Sequence, residues 1–153
     1  MRKIPFALFL LLCLCLCACS AGGNEPAATM DALTLNLYHG DENCEKLLKE
    51  PVTIPELAPE YIMEALFNKG VLGENVPVNN FLMDKTGVIR LDLGGSFAEQ
   101  ICAMGTSGEY IMMGSLVNTF LEAYNASSLM LQVDGATLET GHTIYDFPMS
   151  FFE

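Results

Sequence analysis

The chain has 153 residues, which predicts a single domain, and 51% of them are hydrophobic. Residues 1–18 hold 15 of the roughly 78 hydrophobic residues, so the remainder is about 47% apolar, as in ordinary soluble domains. That remainder carries five basic residues against 19 acidic ones, a net charge of −14. The charge argues against nucleic-acid binding and against electrostatic docking on anionic lipid, and the apolar content argues against global disorder.

The N-terminus has the pattern of a secretory signal. Met1-Arg2-Lys3 precedes an apolar stretch over residues 4–17. The following Leu16-Cys17-Ala18-Cys19 resembles a bacterial lipobox, which implies cleavage between Ala18 and Cys19 and diacylglycerol on the Cys19 thiol, with palmitate as a typical acyl chain. Cleavage before Cys17 is disfavoured because Leu16 would occupy the small-residue position. An uncleaved membrane helix is disfavoured because about 15 apolar residues fall short of the ~20 that a span needs.

The lipobox interpretation divides the chain into three parts and assigns a location. Residues 1–18 are the signal peptide, 19–31 are the lipidated N-terminus and a flexible tether, and 32–153 are one folded domain. Two acyl chains are enough for stable attachment, so we expect the domain at the extracytoplasmic face of the cell membrane. Cys44 and Cys102 remain in the domain, and their spacing leaves open whether they pair. The two histidines do not complete a zinc site, and no metal or cofactor is predicted.

Alternation and helical periodicity predict the first half of the domain. Residues 33–38 alternate and predict a strand, followed by an acidic turn over 39–43. Residues 47–54 predict the returning strand, with Pro51 suited to an edge. Residues 59–70 predict a helix that starts at a proline and ends at a glycine.

The second half predicts a hairpin, a long helix, a strand and a tail. Strands over 79–83 and 88–93 flank a turn at 84–87. Thr106 and Glu109 fit a capping box for a helix over 107–124, which ends at Asn125. A strand over 129–133 follows. The helix is expected to bury Ile111, Ser115, Leu116, Thr119, Phe120 and Ala123, and the tail to pack back through Ile144, Phe147, Phe151 and Phe152.

This order of elements predicts an α+β fold, with two helices packed on one face of a small, mainly antiparallel sheet. Several of its segments also resemble, in order, the GerMN domain, a family named for sporulation and spore germination proteins. The similar segments are Leu33 to Tyr38, Gly87 to Leu93, Ser107-Gly108-Glu109, Leu116 to Phe120, Gln132 to Gly135 and Gly141-His142. The resemblance covers nearly all of 33–145 and implies family-motif roles, structural in kind, for Asp92, Glu109, Asn118, Thr119, Asp134 and Gly135. The acidic insert at 40–45 and the Gly94-Gly95 pair depart from the family pattern.

The resemblance implies a function without catalysis. GerMN domains occur in lipoproteins of Gram-positive, often spore-forming bacteria, and some resemble modules that assemble side by side. We therefore expect a structural or protein-interaction module whose partners are the membrane, through its lipid, and either further copies or another envelope protein. The alternative is a lipoprotein that binds a solute or cell-wall fragment, with a pocket around the loops 70–78 and 94–108.

Other chemistry receives weaker support from the residues. Gly94-Gly95-Ser96, with His142 as base and Asp134 as orienting acid, imitates a serine hydrolase, but the usual nucleophile motif is absent. Asp41 and Glu42 suggest an acid–base pair, and Asp41, Asn43 and Glu45 suggest a weak calcium site, yet a solvated loop explains them better. Five methionines suggest an adaptable binding surface, but core packing is again the favoured explanation: Met63, Met83, Met104, Met112 and Met113.

Overall fold

A computed structural model describes residues 32–153, so the predicted signal, Cys19 and the tether lie outside the described residues. Six strands and three helices follow in order. They are β1 (Leu33–Gly40), β2 (Leu47–Ile54), α1 (Pro59–Asn68), β3 (Val78–Met83), β4 (Val88–Leu93), α2 (Ser96–Cys102), α3 (Thr106–Tyr124), β5 (Ser128–Val133) and β6 (Ala136–Thr137). None of the described helices is long and apolar enough to span a membrane.

The α+β class and the mainly antiparallel pairing are confirmed, but the strands divide into two sheets instead of one. β1 and β2 form a separate hairpin, and the second sheet has the order β3-β4-β5-β6. The division follows from α3, which packs against both groups of strands. The Tyr38 amide of β1 donates to Thr119 Oγ1 at 3.0 Å, while the Phe120 ring lies 6.3 Å from the Phe81 ring of β3.

The segment between β4 and β5 holds one helix more than the sequence predicts. The seven residues of α2 follow Gly94-Gly95 and bury Phe97 and Ile101. With α2 and α3 between them, β4 and β5 pair in parallel, from Val88 opposite Ser128 to Leu93 opposite Val133. A crossover this long is what a parallel pair requires.

The Gly94-Gly95 pair has a steric reason. A β-carbon at Gly94 would lie 2.6 Å from Pro77 Cγ, and the Gly94 amide donates to the Pro77 carbonyl at 2.9 Å. A β-carbon at Gly95 would lie 2.7 Å from Asp134 Oδ2. Position 94 therefore requires glycine, since the proline ring has little freedom to move, whereas at position 95 the close atom is the end of the Asp134 side chain.

The central helix α3 is buried on every side from Ile111 to Leu121. The predicted buried positions agree with this, except that Ala123 is only half-buried. The predicted capping box is wrong: Gly105 is the N-cap, and no side chain caps the helix. The Glu109 carboxyl group instead bonds hydroxyls of the segment after β6. Asn125 ends the helix in the left-handed region, with φ of 49°.

The C-terminal tail packs back on the domain as predicted, but its fully buried anchors are not among the residues predicted, of which only Phe152 packs against the core. Tyr145 and Met149 are buried, and Met149 exchanges backbone hydrogen bonds with Leu129 of β5 at 2.9 and 2.8 Å. Phe152 is half-buried against the core. The other predicted tail anchors, Ile144, Phe147 and Phe151, are exposed, although the Phe151 ring lies edge to face against the Tyr38 ring at 5.3 Å.

A carboxylate joins the hairpin to α3 and makes stability depend on pH. Glu122 accepts hydrogen bonds from the Tyr38 hydroxyl and the Asn36 amide, and these bonds lower its pKa below the ordinary 4.5. A lowered pKa in the folded state adds stability above the unfolded pKa, and that stability disappears as the pH falls through the folded pKa.

We therefore expect Glu122→Gln to reduce the free energy of unfolding at pH 7, and the difference from the wild type to shrink below about pH 4.5. Urea unfolding at several pH values measures this difference. Glu64→Gln makes the same charge change at an exposed position of α1 and serves as the control. A difference between wild type and Glu122→Gln that stays constant with pH would contradict the assignment.

Candidate functional site

The structure does not place Ser96, His142 and Asp134 as the catalytic triad of a serine hydrolase. Ser96 Oγ is buried and makes no hydrogen bond to any described residue. Asp134 lies beside Gly95, but its Oδ1 accepts from the Asn79 amide at 3.0 Å. His142 is exposed in the turn after Thr140, and no hydrogen bond within residues 32–153 joins it to Ser96 or Asp134. A nucleophile needs a base within hydrogen-bond reach, and this set lacks one.

The acidic insert at residues 40–45 is held by hydrogen bonds from Asp41 to nearby backbone amides. Asp41 Oδ1 accepts from the backbone amides of Glu45 at 2.7 Å and Lys46 at 3.2 Å. The Glu45 amide in particular holds the pKa of Asp41 below its ordinary value. Asp41 therefore stabilises the β1–β2 turn, and in the described part of the chain no group of three or more acidic, histidine or cysteine side chains is placed to hold a metal ion.

The two remaining cysteines are both exposed, and neither forms a disulfide in the structure. Cys44 has a φ of 55°, a left-handed conformation within the same turn. Cys102 ends α2, and its thiol lies 3.6 Å from the Glu139 carbonyl oxygen. The pairing that the sequence left open is therefore absent from this structure.

A cleft of about 250 Å³ takes up part of the predicted solute pocket. It lies between the β1–β2 turn, the end of α1 and the start of α3. From the loop 70–78 it uses Gly70 and Val71, and from the loop 94–108 it uses Met104 and Gly108. Lys69 lines it as well, but its ammonium group already contacts Glu50 at 2.6 Å. The cleft therefore offers a mainly apolar surface without a free cation from Lys69.

The motif residues of β4 and β5 stabilise the end of the larger sheet. Asp92 Oδ1 accepts from the Gly135 amide at 2.9 Å. Asp134 and Gly135 both have positive φ, 50° and 76°, and connect β5 to β6 as a two-residue hairpin turn. An Asp-Gly pair is suited to this turn because both positions require positive φ.

The motif residues of α3 bond to the backbone. Thr119 Oγ1 donates to the Ser115 carbonyl at 2.6 Å and accepts from the Tyr38 amide. Asn118 is 1% exposed and holds the backbone of Phe152 from both sides, donating to its carbonyl at 2.9 Å and accepting from its amide at 2.8 Å. Both side chains therefore connect α3 to other parts of the fold.

The methionines divide between core and surface. Met63, Met112 and Met113 are buried in the core, and Met104 is half-buried. Met83 is 42% exposed at the end of β3. The five residues therefore do not form one methionine surface.

The outer edge of β3 is an uncharged sheet edge that pairs with no other strand among the described residues. β3 pairs only with β4, and its sequence VNNFLM contains no charge. Leu82 is 55% exposed beside Met83. The outer edge of β2 differs, because Lys49, Glu50 and the exposed Pro51 interrupt it. Charges and proline discourage strand pairing, so β3 is the better template for another strand.

A second feature, here called the Glu109 cleft, lies where α3 begins. Glu109 is 3% exposed, and its Oε1 accepts from Tyr145 OH at 2.7 Å and Thr140 Oγ1 at 2.8 Å. Burial and the bond to Glu109 raise the pKa of the Tyr145 hydroxyl. Glu109 Oε2 is buried and has no partner among the described residues. The cleft measures about 340 Å³ and is lined by Thr106, Glu109, Tyr110, His142, Thr143, Tyr145, Phe147 and Phe152.

Comparison with known proteins assigns the family. Residues 36–139 match the family model Germane, described as "Sporulation and spore germination". The chain belongs to the Germane family. The predicted resemblance to GerMN domains is confirmed, and the family associates the chain with sporulation and germination. No curated protein matches the sequence.

Two solved structures show the same fold. The tandem GerMN domains of the sporulation protein GerM from Bacillus subtilis superpose with a TM-score of 0.63 at 16% identity, over 78% of this chain and 46% of that one. The first GerMN domain of the same protein gives 0.60 at 16% identity, over 77% of this chain and 97% of that one. This chain therefore spans about half the length of the tandem structure and matches a single GerMN domain.

Two features of this GerMN domain escaped the sequence-based prediction. The uncharged β3 edge was visible as VNNFLM, but its position at the end of a sheet was not. The sequence pattern predicts a capping role for Glu109, although a carboxylate in the first turn is also favoured by the helix dipole. Its burial depends on Thr140 and Tyr145, which lie more than 30 residues away in sequence.

Proposed function

We propose that this Germane-family chain is a lipid-anchored, non-enzymatic module at the extracytoplasmic face of the membrane, and that it associates with further copies through the edge of β3. The observation that carries the proposal is the uncharged, unpaired β3 edge with Leu82 more than half exposed. An open edge of this kind pairs readily with another strand. The family's association with sporulation and spore germination supports an envelope role.

The acidic charge of the chain opposes self-association, so the dependence of association on salt concentration tests the proposal. The chain beyond residue 18 carries a net charge of −14, so copies repel one another at low ionic strength. Salt screens this repulsion, since the Debye length falls from about 30 Å at 0.01 M to about 8 Å at 0.15 M. Association through an apolar edge should therefore strengthen as salt is added.

We expect residues 20–153 to form concentration-dependent oligomers in analytical ultracentrifugation, more strongly at high salt than at low salt. The described hydrophobic core lies between Leu35 and Phe152, within this fragment. Leu82→Lys should return the protein to a monomer by placing a charge on the β3 edge. The substitution also lowers the net negative charge, so reduced repulsion works against the expected result.

Leu57→Lys is the matched control, because Leu57 is 41% exposed and lies between β2 and α1, outside both sheets. It should associate like the wild type. A strict monomer under every condition would overturn self-association and favour a different partner or a bound solute. Equal association of Leu82→Lys and the wild type would place the contact elsewhere.

A further inference from the structure

Glu109 lines the cleft, and one oxygen of its carboxyl group is a buried acceptor without a donor among the described residues. Two hydroxyl groups satisfy Oε1 of Glu109, whereas Oε2 has no donor among the described residues. Leaving a buried carboxylate oxygen without a donor is costly, because it has lost water and gained nothing in exchange. A ligand in the cleft must displace the side chains that now cover Oε2, and the donor that it brings would recover that cost.

The walls of the cleft suit a cation on an apolar stem. Tyr110, Tyr145, Phe147 and Phe152 supply aromatic surface, and the Tyr110 and Phe152 rings meet edge to face at 5.4 Å. Aromatic faces attract cations and also pack well against methylene groups. The volume of about 340 Å³ lies in the range of small ligand sites.

The carboxylates of the cleft lining and of the tail face no lysine or arginine from the same residues. None of its lining residues is a lysine or an arginine. The segment from residue 139 to the C-terminus contains Glu139, Asp146 and Glu153 and no lysine or arginine. The acidic surroundings would attract a cationic group and repel an anionic one.

We propose that the Glu109 cleft binds the ammonium group of a lysine side chain from a partner protein. The unpartnered Oε2 of Glu109 favours a lysine over an arginine side chain. A guanidinium group is best used when it bonds both oxygens of a carboxylate, but Oε1 is already occupied by two hydroxyls. An ammonium group is a compact charge that needs only Oε2. The site is separate from the β3 edge and does not depend on self-association.

The test uses the full chain in nonionic detergent micelles and three peptides. These are N-acetyl-glycyl-lysyl-glycine amide, its norleucine counterpart, which keeps the stem without the charge, and its arginine counterpart. Shifts of backbone amide NMR signals at Thr143, Tyr145 and Phe147 measure binding. The lysine peptide should bind at least about tenfold more tightly than the norleucine peptide, as expected for a charge-assisted hydrogen bond. The arginine peptide should bind more weakly than the lysine peptide.

Two pairs of variants test the assigned groups. Glu109→Gln keeps an acceptor for Thr140 and Tyr145 but presents an amide donor in place of Oε2, and it should weaken lysine-peptide binding at least about tenfold. Glu64→Gln removes the same charge from an exposed position of α1, away from the cleft lining, and should leave binding within about twofold. If Glu109→Gln fails to fold, Phe147→Ala against Phe67→Ala gives the decisive comparison, because both rings are exposed and only Phe147 lines the cleft.

The proposal predicts weaker binding for Phe147→Ala and unchanged binding for Phe67→Ala. Equal affinity for the lysine and norleucine peptides would overturn it, as would no saturable binding of the lysine peptide. Unchanged binding by folded Glu109→Gln would overturn the role of Oε2. Tighter binding of the arginine peptide would overturn the assignment to lysine. None of these results depends on whether the chain self-associates.

Discussion

Replacing Cys19 with serine is expected to abolish acylation of this chain completely. The thiol of Cys19 is the nucleophile to which the lipobox resemblance assigns the diacylglycerol, and a hydroxyl group at ambient pH is a far weaker nucleophile. Because the peptidase of this pathway cuts the acylated precursor, the serine variant should also keep residues 1–18. Two acyl chains bury enough methylene groups, at about 0.8 kcal/mol each, to hold a protein on a bilayer stably.

The measurement combines metabolic labelling with an alkyne-tagged palmitate analogue and intact mass spectrometry. The wild type should carry label and begin at Cys19, whereas Cys19→Ser should carry none and retain its signal. Cys17→Ser is the matched control, since it removes the neighbouring thiol. Like the wild type, it should carry label and begin at Cys19. Label on Cys19→Ser that disappears from Cys17→Ser would move the lipidation site to Cys17. An unlabelled wild type that retains residues 1–18 would favour an uncleaved membrane helix.

Local patterns were sufficient to predict most elements of the domain. The alternation over residues 33–38 and 88–93 corresponds to β1 and β4, and the proline and apolar spacing after residue 58 correspond to α1. The stop at Asn125 is also local, because asparagine tolerates the left-handed conformation that ends a helix. These features depend on neighbours within a few residues, and such neighbours are visible in the sequence.

The division into two sheets depended on contacts between distant parts of the chain. Nothing in residues 33–54 shows that α3, more than 50 residues later, separates this hairpin from the other strands. The parallel pairing of β4 and β5 was more accessible, because a helix between two strands favours it. The helix α2 was missed because its seven residues are too few for a clear periodic pattern.

The candidate sites show the same distinction between local and distant information. The resemblance implies structural roles for Asn118 and Thr119, and in the structure both side chains bond to the backbone, but nothing in the sequence shows that the partner of Asn118 is Phe152, 34 residues away. Glu109 fits the sequence pattern of a local capping box, but the partners of its carboxyl group in the structure are Thr140 and Tyr145. The sequence indicates that a short polar side chain within an apolar helix forms a hydrogen bond, but the fold determines which group is its partner.

The contact between Asn118 and the tail leads to the second large effect. Asn118 presents its amide to Phe152 much as a neighbouring strand would, and satisfies both the amide and the carbonyl of that residue. Leucine has a similar volume, so Asn118→Leu removes both hydrogen bonds without leaving a large cavity. We expect it to reduce the free energy of unfolding by about 2–4 kcal/mol, because two backbone groups each lose a partner at about 1–3 kcal/mol.

Urea unfolding measures the loss, and hydrogen exchange locates it. The Phe152 amide should lose more protection than amides in β4, because the tail is released before the core unfolds. Tyr110→Phe is the matched control: it removes the exposed bond from the Tyr110 hydroxyl to the Glu153 carbonyl at 2.6 Å and should cost less than about 1 kcal/mol. If Asn118→Leu costs no more than this control, the tail is held by the packing of Tyr145, Met149 and Phe152 alone. If it costs the larger amount, a single buried amide fixes the last residues of the chain, and with them the Phe152 wall of the Glu109 cleft.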